Sequence, residues 1–355
     1  MSQVRVISSI DVHAEGEPGR VLLGLHLSVR GETMAQRLQW CIDHLDPLRR
    51  LLLQEPRGHP AVCAVLVLPP VAADADVSIV VLEQGGFRPM SGSNTMCAVT
   101  ALLETGALPM AEPETVVRID TAVGRVEAVA RVRGRKVVSV QVRNVASFVV
   151  ELDFPVDVSG RGRVLADVAF GGQFYVLAPA AAFDLDLERA GVPAVVRAGM
   201  SLLASARRQV AVRHPEHRAI DQISLVMLHG PAQTPGVDGR NCVVMPNGEL
   251  HPTDASTWRG SLDRSPCGTG TSARMACLYA RGDLVVGQPF VHQGVLGTTF
   301  TGLLHATATV GERPAVLPSV EGRAWITGLN SLMLDPDDPF PQGYTVGDVW
   351  SATSI

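Results

Sequence analysis

Lysine is almost absent from this sequence of 355 residues: of its 30 basic side chains, only Lys136 is a lysine. An enzyme that uses pyridoxal phosphate needs a lysine in a buried site to form the Schiff base. Lys136 follows the arginine-rich stretch 131–135 and precedes two valines, a pattern typical of a polar turn between two strands. We therefore expect any amino-acid chemistry on this chain to proceed without pyridoxal phosphate.

Long apolar runs and a strong positive charge are absent as well. No apolar run reaches the roughly 18 residues of a membrane span, and the nearest, Ala61–Ala73, is interrupted by Pro69 and Pro70. The N-terminus has no basic region followed by an apolar stretch and a small-residue cleavage site, so we do not expect secretion. The net charge of −5 argues against nucleic-acid binding through bulk charge. We expect neither a membrane nor a nucleic acid as partner.

The six cysteines contain no C-x-x-C pair and no spacing that indicates a disulfide framework. Free thiols are typical of a reducing compartment, and we therefore predict a cytoplasmic protein. His214 and His217 lie three residues apart, but further ligands at the usual spacing are missing nearby in the sequence. We expect no metal site.

Length and patterning predict an α/β protein of about two domains. Short valine-rich segments predict strands, at Val4–Ile10, Val62–Leu68, Val77–Leu82, Val116–Asp120, Val126–Val132 and Val137–Val142. Thr33–Leu45 and Pro193–Arg208 follow amphipathic helical patterns. The polar stretch Asp153–Arg163, which contains a proline and two glycines, is the predicted domain boundary.

An internal repeat is the most informative feature of the sequence. Residues 91–108 (SGSNTMCAVTALLETGAL) align without a gap with residues 267–284 (CGTGTSARMACLYARGDL), at an offset of 176. Glycine, leucine and hydroxyl-bearing positions coincide at both ends and in the interior, which chance would rarely produce. Each copy predicts a glycine-rich turn, about three turns of helix and a C-terminal glycine. We interpret the repeat as a duplication that gives two similar halves, each with one central helix.

The two predicted helices begin after different reactive side chains, Ser91 in the first copy and Cys267 in the second. Unpaired N–H groups and the positive end of the helix dipole favour a bound carboxylate at such a position. The same field is expected to lower the pKa of a cysteine thiol below its usual value of about 8.5. Two such starts facing each other would place one acid/base group on each side of an α-carbon. The structural alternatives are a small buried hydrophobe for Cys267 and a helix cap for Ser91.

Motifs along nearly the whole chain resemble the proline racemase superfamily, which includes hydroxyproline 2-epimerases and trans-3-hydroxyproline dehydratases. In chain order they are 11–20 (DVHAEGEPGR), 55–59 (EPRGH), 90–95 (MSGSNT), 142–145 (VRNV), 167–172 (DVAFGG), 263–271 (DRSPCGTGT), 322–328 (GRAWITG) and 335–340 (DPDDPF). The stretch 263–271 is the most specific of them. An ordered set of this length leaves little room for coincidence.

The resemblance implies an α/β fold of two pseudo-symmetric halves, each a β-sheet wrapped around a central helix, of the proline racemase and diaminopimelate epimerase type. The site would lie between the halves. Combined with the predicted boundary, the first half spans 1–160 and carries Ser91, with the C-terminal tail 330–355 returning to it. The second half spans 161–329 and carries Cys267. Because family members are often dimers, a homodimer is one possible assembly.

The resemblance also implies a cofactor-free enzyme that acts on an amino or imino acid through two acid/base residues, here Ser91 and Cys267. Substrate contacts are implied at Gly92, Ser93, Asp263, Gly268 and Thr269. Gln222 is a weaker candidate, because family members often have a histidine in its segment.

Two departures from the family pattern concern the first motif, which usually reads Met-Cys-Gly-His and here contains Ser91 and Ser93. A serine hydroxyl is a much weaker acid than a thiol, and the neighbouring histidine is replaced as well. We therefore expect an asymmetric pair, in which Cys267 removes a proton readily as a thiolate. Ser91 would serve chiefly as a donor or relay through water.

These residues favour 2-epimerisation of 4-hydroxyproline or 3-hydroxyproline. The dehydratase branch keeps the first cysteine and has threonine at the second position, the opposite of the arrangement here, and it remains the enzymatic alternative. A second alternative is a protein that binds imino acids without catalysis, since one thiol is lost. Exchange of the substrate α-proton with deuterium separates an enzyme from a binding protein.

Overall fold

The computed structural model of the chain describes residues 5–23, 29–346 and 349, and they form two compact units. The first unit contains the chain up to Val142 and the segment that starts at Gly322, and the second contains Arg143–Glu321. The opening strands are β1 (Arg5–Ala14), β2 (Glu17–Leu22), β3 (Cys63–Leu68), β4 (Val77–Glu83), β5 (Gly86–Arg88), β6 (Glu114–Thr121), β7 (Gly124–Arg133) and β8 (Lys136–Arg143). The helices among them are α1 (Met34–His44), α2 (Asp46–Leu53) and α3 (Gly92–Glu104).

The second unit continues the series of strands and helices. Its strands are β9 (Ser147–Val158), β10 (Gly162–Phe170), β11 (Phe174–Pro179), β12 (Ile223–Gly230), β13 (Gly239–Pro246), β14 (Gly260–Leu262), β15 (Pro289–Gln293), β16 (Thr299–Val310) and β17 (Arg313–Gly322). Its helices are α4 (Val192–Gln209) and α5 (Gly268–Arg281), with short 3-10 turns at Ala180–Phe183 and Ala255–Thr257. Strand β18 (Ala324–Leu334) then returns to the first unit.

Helix α3 is the central element of the first unit. Strand β1 pairs antiparallel with β18 and β2, and β2 continues in parallel with β3. Helix α3 packs against these four strands and β7, and every residue from Gly92 to Leu103 is buried. Helix α3 is therefore enclosed on all sides, and the polar side chains of its first turn are buried with it.

Helix α5 packs among the strands of the second unit. Strands β9, β10 and β11 form an antiparallel series, and β11 pairs in parallel with β12. Helix α5 packs against β9, β10, β11 and β16, and its first turns are buried. Helix α4 packs against β12 and β13 and is amphipathic, as its sequence pattern predicts. The start of α5 is therefore fixed by packing on several sides.

The polar stretch Asp153–Arg163 is a β-hairpin and not the boundary between the two units. Val158 pairs with Gly162 where β9 turns into β10, so both strands belong to the second unit. Polar residues and glycines are equally typical of hairpin turns, which explains the wrong prediction. The chain passes between units at residues 142–143 and again at 321–322, rather than at 160 and near 330.

The predicted helices and the described strands agree with the sequence pattern. Thr33 caps α1 through a capping box, in which its side chain accepts from the N–H of Gln36. Pro193 lies in the first turn of α4, where its missing N–H costs nothing. Helices α3 and α5 begin at Gly92 and Gly268, as the repeat predicts. Within the described part of the chain, no helix has the length and apolar character needed to cross a membrane.

Candidate active site

Ser91 is the N-cap of α3, as the repeat predicts. Its backbone is extended and its carbonyl accepts from the N–H of Thr95 at 3.0 Å. The side chain is 7% exposed, and the neighbouring Ser93 and Asn94 are also buried. A polar cluster is thus held inside the first unit at the start of its central helix.

Asn94 supplies two donors to the Ser91 hydroxyl. The side-chain Nδ2 of Asn94 donates to Oγ of Ser91 at 3.0 Å, and the Asn94 N–H donates to the same atom at 3.4 Å. The Ser93 hydroxyl lies 3.3 Å away. Donors aimed at one oxygen stabilise negative charge that develops there. Sequence reasoning missed Asn94, although an amide three residues after an N-cap serine lies one helical turn away.

The first turn of α3 also offers free backbone donors. The N–H groups of Gly92 and Ser93 precede the first intrahelical bond, and no described residue accepts a hydrogen bond from them. Both residues were predicted to contact substrate. Unpaired N–H groups at a helix start are suited to a carboxylate.

Cys267 is the N-cap of α5 in the second unit, with a backbone φ of +63°. This region is uncommon for a residue with a side chain. The N–H of Cys267 donates to Oγ of Ser265 at 3.0 Å. That hydroxyl donates to Oδ1 of Asp263 at 2.8 Å, and the Ser265 N–H donates to the same carboxylate oxygen at 2.8 Å. The carboxylate of Asp263 therefore fixes the turn that presents the thiol.

Tyr175, on β11, lies against the start of α5. Its hydroxyl is 3.3 Å from Sγ of Cys267 and 2.6 Å from Oγ1 of Thr269. The side chain is fully buried, and a buried tyrosine hydroxyl requires such partners. Sequence reasoning missed this residue. The available signal was one hydroxyl in the otherwise apolar stretch 174–179, six residues that predict a buried strand.

The pKa of the Cys267 thiol is raised well above its usual value, contrary to the sequence-based expectation of a low pKa. Burial is the largest cause, and the negative charge of Asp263 adds to it. Hydrogen bonds from Tyr175 and from the Gly270 N–H lower the pKa but do not outweigh these effects. The expectation considered the helix dipole alone, and it was wrong because the dipole is small beside full desolvation.

A buried network holds the carbonyl of Pro266, the residue before Cys267. This oxygen accepts from Nδ2 of Asn241 at 3.0 Å and from Oγ1 of Thr271 at 3.1 Å. His292 bridges the two donors, with Nδ1 2.9 Å from Thr271 and Nε2 3.1 Å from Asn241. With Nδ2 of Asn241 donating to Nε2, the hydrogen bonds are satisfied by a neutral imidazole whose proton is on Nδ1, and burial lowers its pKa to about 3.

The predicted site residues form two groups, one in each unit. Asp263, Cys267, Gly268 and Thr269 lie together in the second unit, and no described residue accepts from the N–H of Gly268 or Thr269. Gln222 is exposed and lies just before β12, and no hydrogen bond between described residues joins its side chain to the Cys267 group.

Comparison with known proteins identifies the family. The family model described as Proline racemase matches residues 9–345. The chain belongs to the proline racemase family. A relative named 4-hydroxyproline 2-epimerase, from Rhizobium etli, is 40% identical over 354 residues, which cover 99% of this chain and 98% of that protein. The resemblance of the sequence motifs to this family is confirmed.

Solved structures of the proline racemase family share the fold. The hydroxyproline epimerase of Agrobacterium vitis, with bound trans-4-hydroxy-L-proline, superposes with a TM-score of 0.92 and is 36% identical, over 100% of both chains. A probable proline racemase from Agrobacterium radiobacter, with bound carbonate, gives 0.90 at 39% identity, over 97% of this chain and 98% of that one. These superpositions confirm the prediction of a mixed α/β fold of the proline racemase type.

Proposed function

We propose that this member of the proline racemase family is a cofactor-independent isomerase that inverts the α-carbon of 4-hydroxyproline. The observation that carries the proposal is the chemistry of the two helix starts. Each has a buried hydroxyl or thiol at the N-cap and two unpaired N–H groups in the next two residues. Relatives named 4-hydroxyproline 2-epimerase support the choice of substrate.

In the proposed reaction, the free N–H groups of Gly92 and Ser93, with those of Gly268 and Thr269, bind the substrate carboxylate. Bound in this way, the carboxylate loses little affinity when either N-cap side chain is replaced, because the donors belong to the backbone. Cys267 and Ser91 act on opposite faces of the α-carbon. One removes the proton and the other returns a proton to the other face, so the centre inverts.

The raised pKa of Cys267 gives Asp263 a second role in this proposal. A substrate ammonium group bound by Asp263 would neutralise the charge that raises the pKa of the thiol. Thiolate would then form only in the complex with substrate. The free protein would keep an unreactive thiol, and the substrate would activate its own base.

Ser91 acts as the second acid/base group with help from Asn94. The two donors from Asn94 stabilise an alkoxide developing on Oγ, which a serine without neighbours could not support at neutral pH. The pair remains asymmetric, because the Cys267 thiol is a stronger acid than a hydroxyl. Rates in the two directions therefore differ in their pH profiles, while the equilibrium stays fixed.

The proposal also covers the duplication of the chain, its cellular compartment and its oligomeric state. The two units are duplicated halves related by the 176-residue offset of the repeat. Six buried free cysteines support a reducing cytoplasm. A homodimer is proposed from the family resemblance and is tested by light scattering on the purified protein.

Incubation of trans-4-hydroxy-L-proline with the protein in deuterium oxide tests the function. Inversion at one of two stereocentres gives a diastereomer, which an achiral column separates. We expect the diastereomer to carry deuterium at the α-carbon. Loss of water from 3-hydroxyproline would identify a dehydratase, and binding without exchange of the α-proton would identify a binding protein. Either result would refute the proposal.

The Cys267→Ala variant separates this chemistry from a contaminating activity. It should abolish exchange of the α-proton, since it removes the proposed base. Cys277→Ala, at a buried cysteine of the same helix, is the matched control. Substantial turnover by Cys267→Ala would place the base elsewhere.

A further inference from the structure

The second unit contains a cavity of about 590 Å³ that the proposed reaction does not use. Its walls are partly apolar, with Leu187, Leu278 and Phe290 among the lining residues. Four basic side chains also line it: Arg240, Arg274, His229 and His292. None of the predicted site residues lies on its wall. A mixed lining of this kind is typical of a site for a small organic ligand.

Arg274 has a weakly compensated charge at this cavity. Its side chain is only 19% exposed, and no described residue accepts a hydrogen bond from its guanidinium. Its nearest acid is Asp167, with 3.9 Å between Nη1 and Oδ2. The two oxygens of Asp167 already accept from Arg281 at 2.8 and 2.7 Å. A largely buried guanidinium without a hydrogen-bonded acid gains from an anion that enters the cavity and completes its coordination.

Arg240 adds an unfilled donor to the same wall. Its side chain is 11% exposed and forms an ion pair with Glu188 through Nη1. Its buried Nε has no hydrogen-bond partner among the described residues. The carboxylates of Asp186 and Asp238, also at the cavity, accept from backbone N–H groups at 3.0 and 2.7 Å. The wall therefore contains groups of both charges, and the guanidinium of Arg274 and Nε of Arg240 are donors on it without an acceptor among the described residues.

The two histidines of the cavity carry no positive charge at neutral pH. Burial, with the nearby charge of Arg274, lowers the pKa of His229 and of His292 to about 3. The positive charge of the cavity is thus confined to the two arginines. Each arginine has an acidic neighbour, Glu188 for Arg240 and Asp167 for Arg274, but the contact of Arg274 with Asp167 is 3.9 Å long and is not a hydrogen bond.

We propose that this cavity binds a small organic carboxylate with an apolar body, and that Arg274 forms its ion pair. A guanidinium binds a carboxylate in a bidentate fork. The apolar walls then enclose a ring or a branched chain. No residue of the turn that holds Cys267 lines the cavity, and His292 is shared between its wall and the network around Pro266. The proposal does not depend on the proposed epimerase activity.

Benzoate is a suitable probe, and benzyl alcohol is its uncharged counterpart of similar size. Titration calorimetry on the whole chain should give saturable binding of benzoate, with benzyl alcohol at least tenfold weaker. Arg274→Gln should weaken benzoate binding at least tenfold, whereas Arg274→Lys, which keeps the charge, should weaken it less. Arg163→Gln removes an arginine that is 72% exposed in the same unit and should leave binding unchanged.

Two further measurements separate loss of the carboxylate site from misfolding and from binding at the proposed active site. The melting temperature of Arg274→Gln is expected to be unchanged or higher, because a weakly compensated and largely buried charge is removed, and it distinguishes loss of the site from misfolding. Benzoate should still bind to Cys267→Ala and in the presence of saturating trans-4-hydroxy-L-proline. Competition with that imino acid, equal affinity for benzyl alcohol, undiminished binding to Arg274→Gln or no binding at about 20 mM benzoate would each overturn the proposal.

Discussion

The hydroxyl of Tyr175 lies 3.3 Å from Sγ of Cys267, in a place where both side chains are buried. The same hydroxyl is 2.6 Å from Oγ1 of Thr269, so strand β11 and the first turn of α5 meet at one oxygen atom. Its hydrogen bond lowers the pKa of the thiol, against the larger effects of burial and of Asp263. Tyr175 is thereby a positioning residue whose contribution can be measured on the thiol itself.

Alkylation of Cys267 by iodoacetamide reports the pKa of this thiol, because the thiolate is the reacting form. In the free protein we expect slow labelling at pH 8 and faster labelling as the pH rises above 9. Tyr175→Phe removes the bond that favours the thiolate, and its profile should move to higher pH. Asp263→Asn removes the negative charge but keeps an acceptor for Ser265, and its profile should move to lower pH.

Peptide mapping by mass spectrometry follows Cys267 separately from the other cysteines. Tyr279→Phe, at a partly buried tyrosine of the same helix, is the matched control and should leave the profile unchanged. If Tyr175→Phe and Asp263→Asn moved the profile in the same direction, the assignment of opposing effects would be wrong.

Ser91→Ala tests whether the N-cap hydroxyl takes part in proton transfer. Backbone donors at the start of α3 remain, so substrate binding should be nearly intact, while inversion should fall on the order of 100-fold or more. Cys267 can still remove and return a proton on its own face. Deuterium should therefore enter the α-position of the substrate without inversion. Loss of the cap should cost about 1 kcal/mol in the free energy of unfolding.

Two further variants serve as controls for Ser91→Ala. Ser91→Cys should retain inversion, because a thiol can take either role. Ser93→Ala keeps the backbone N–H and should change the rate far less than Ser91→Ala does. Inversion by Ser91→Ala at the parental rate would reduce Ser91 to a helix cap and end the two-residue mechanism.

The sequence predicted the parts of the fold that depend on local pattern. The offset of 176 residues located the first residues of α3 and α5, and the amphipathic pattern of Thr33–Leu45 located α1. These signals are contained within one helical turn or one amphipathic face. The hairpin at Asp153–Arg163 was misread because turns and domain linkers share the same residue types.

The environment of Cys267 depends on contacts that are distant in sequence. Tyr175 lies 92 positions before it, and its role follows only from the pairing of β11 within the sheet. The pKa of the thiol is set by enclosure, which no local motif encodes. Sequence reasoning therefore predicted the place of Cys267 at the start of α5 and misjudged its ionisation.

Gly270→Ala tests how closely the first turn of α5 is packed. A Cβ at this position would lie 2.7 Å from Cε of Met227 and 3.0 Å from Sγ of Cys267. Either contact displaces buried groups at a cost of about 1–3 kcal/mol in the free energy of unfolding. We expect epimerase activity to fall by more than that loss of stability explains, because the thiol itself must move.

The control for Gly270→Ala is a glycine-to-alanine substitution at a helix N-cap where the added Cβ has space. Gly191 is the N-cap of α4, has a φ of −68°, and a Cβ there would meet its nearest atom at 3.9 Å. Gly191→Ala should leave activity unchanged and shift stability by about 1 kcal/mol or less. Equal activities of the two variants would show that the packing around Sγ is looser than the structure indicates.

Buried histidines predict that the protein loses stability in mild acid. The pKa of His214 is lowered to about 4 by burial and by the nearby His217, and burial lowers those of His229 and His292 to about 3. An unfolded histidine has a pKa near 6.5. Above that pH these rings are neutral in both states, so they impose no cost. As the pH falls from about 6.5 towards 4, the unfolded chain binds protons that the folded chain does not.

Each such histidine should remove up to about 1.4 kcal/mol of unfolding free energy per pH unit across that window. The slope is measured from urea unfolding at several pH values. His214→Asn removes one titrating group, so it should reduce this slope by up to about 1.4 kcal/mol per pH unit. The amide oxygen can replace Nδ1 as acceptor for the N–H groups of Glu216 and His217, so the turn should be retained. His251→Asn, at a ring that is 55% exposed, is the matched control. An unchanged slope in His214→Asn would mean that His214 binds its proton equally well in the folded protein, contrary to its enclosure by the rings of Phe148 and Phe170.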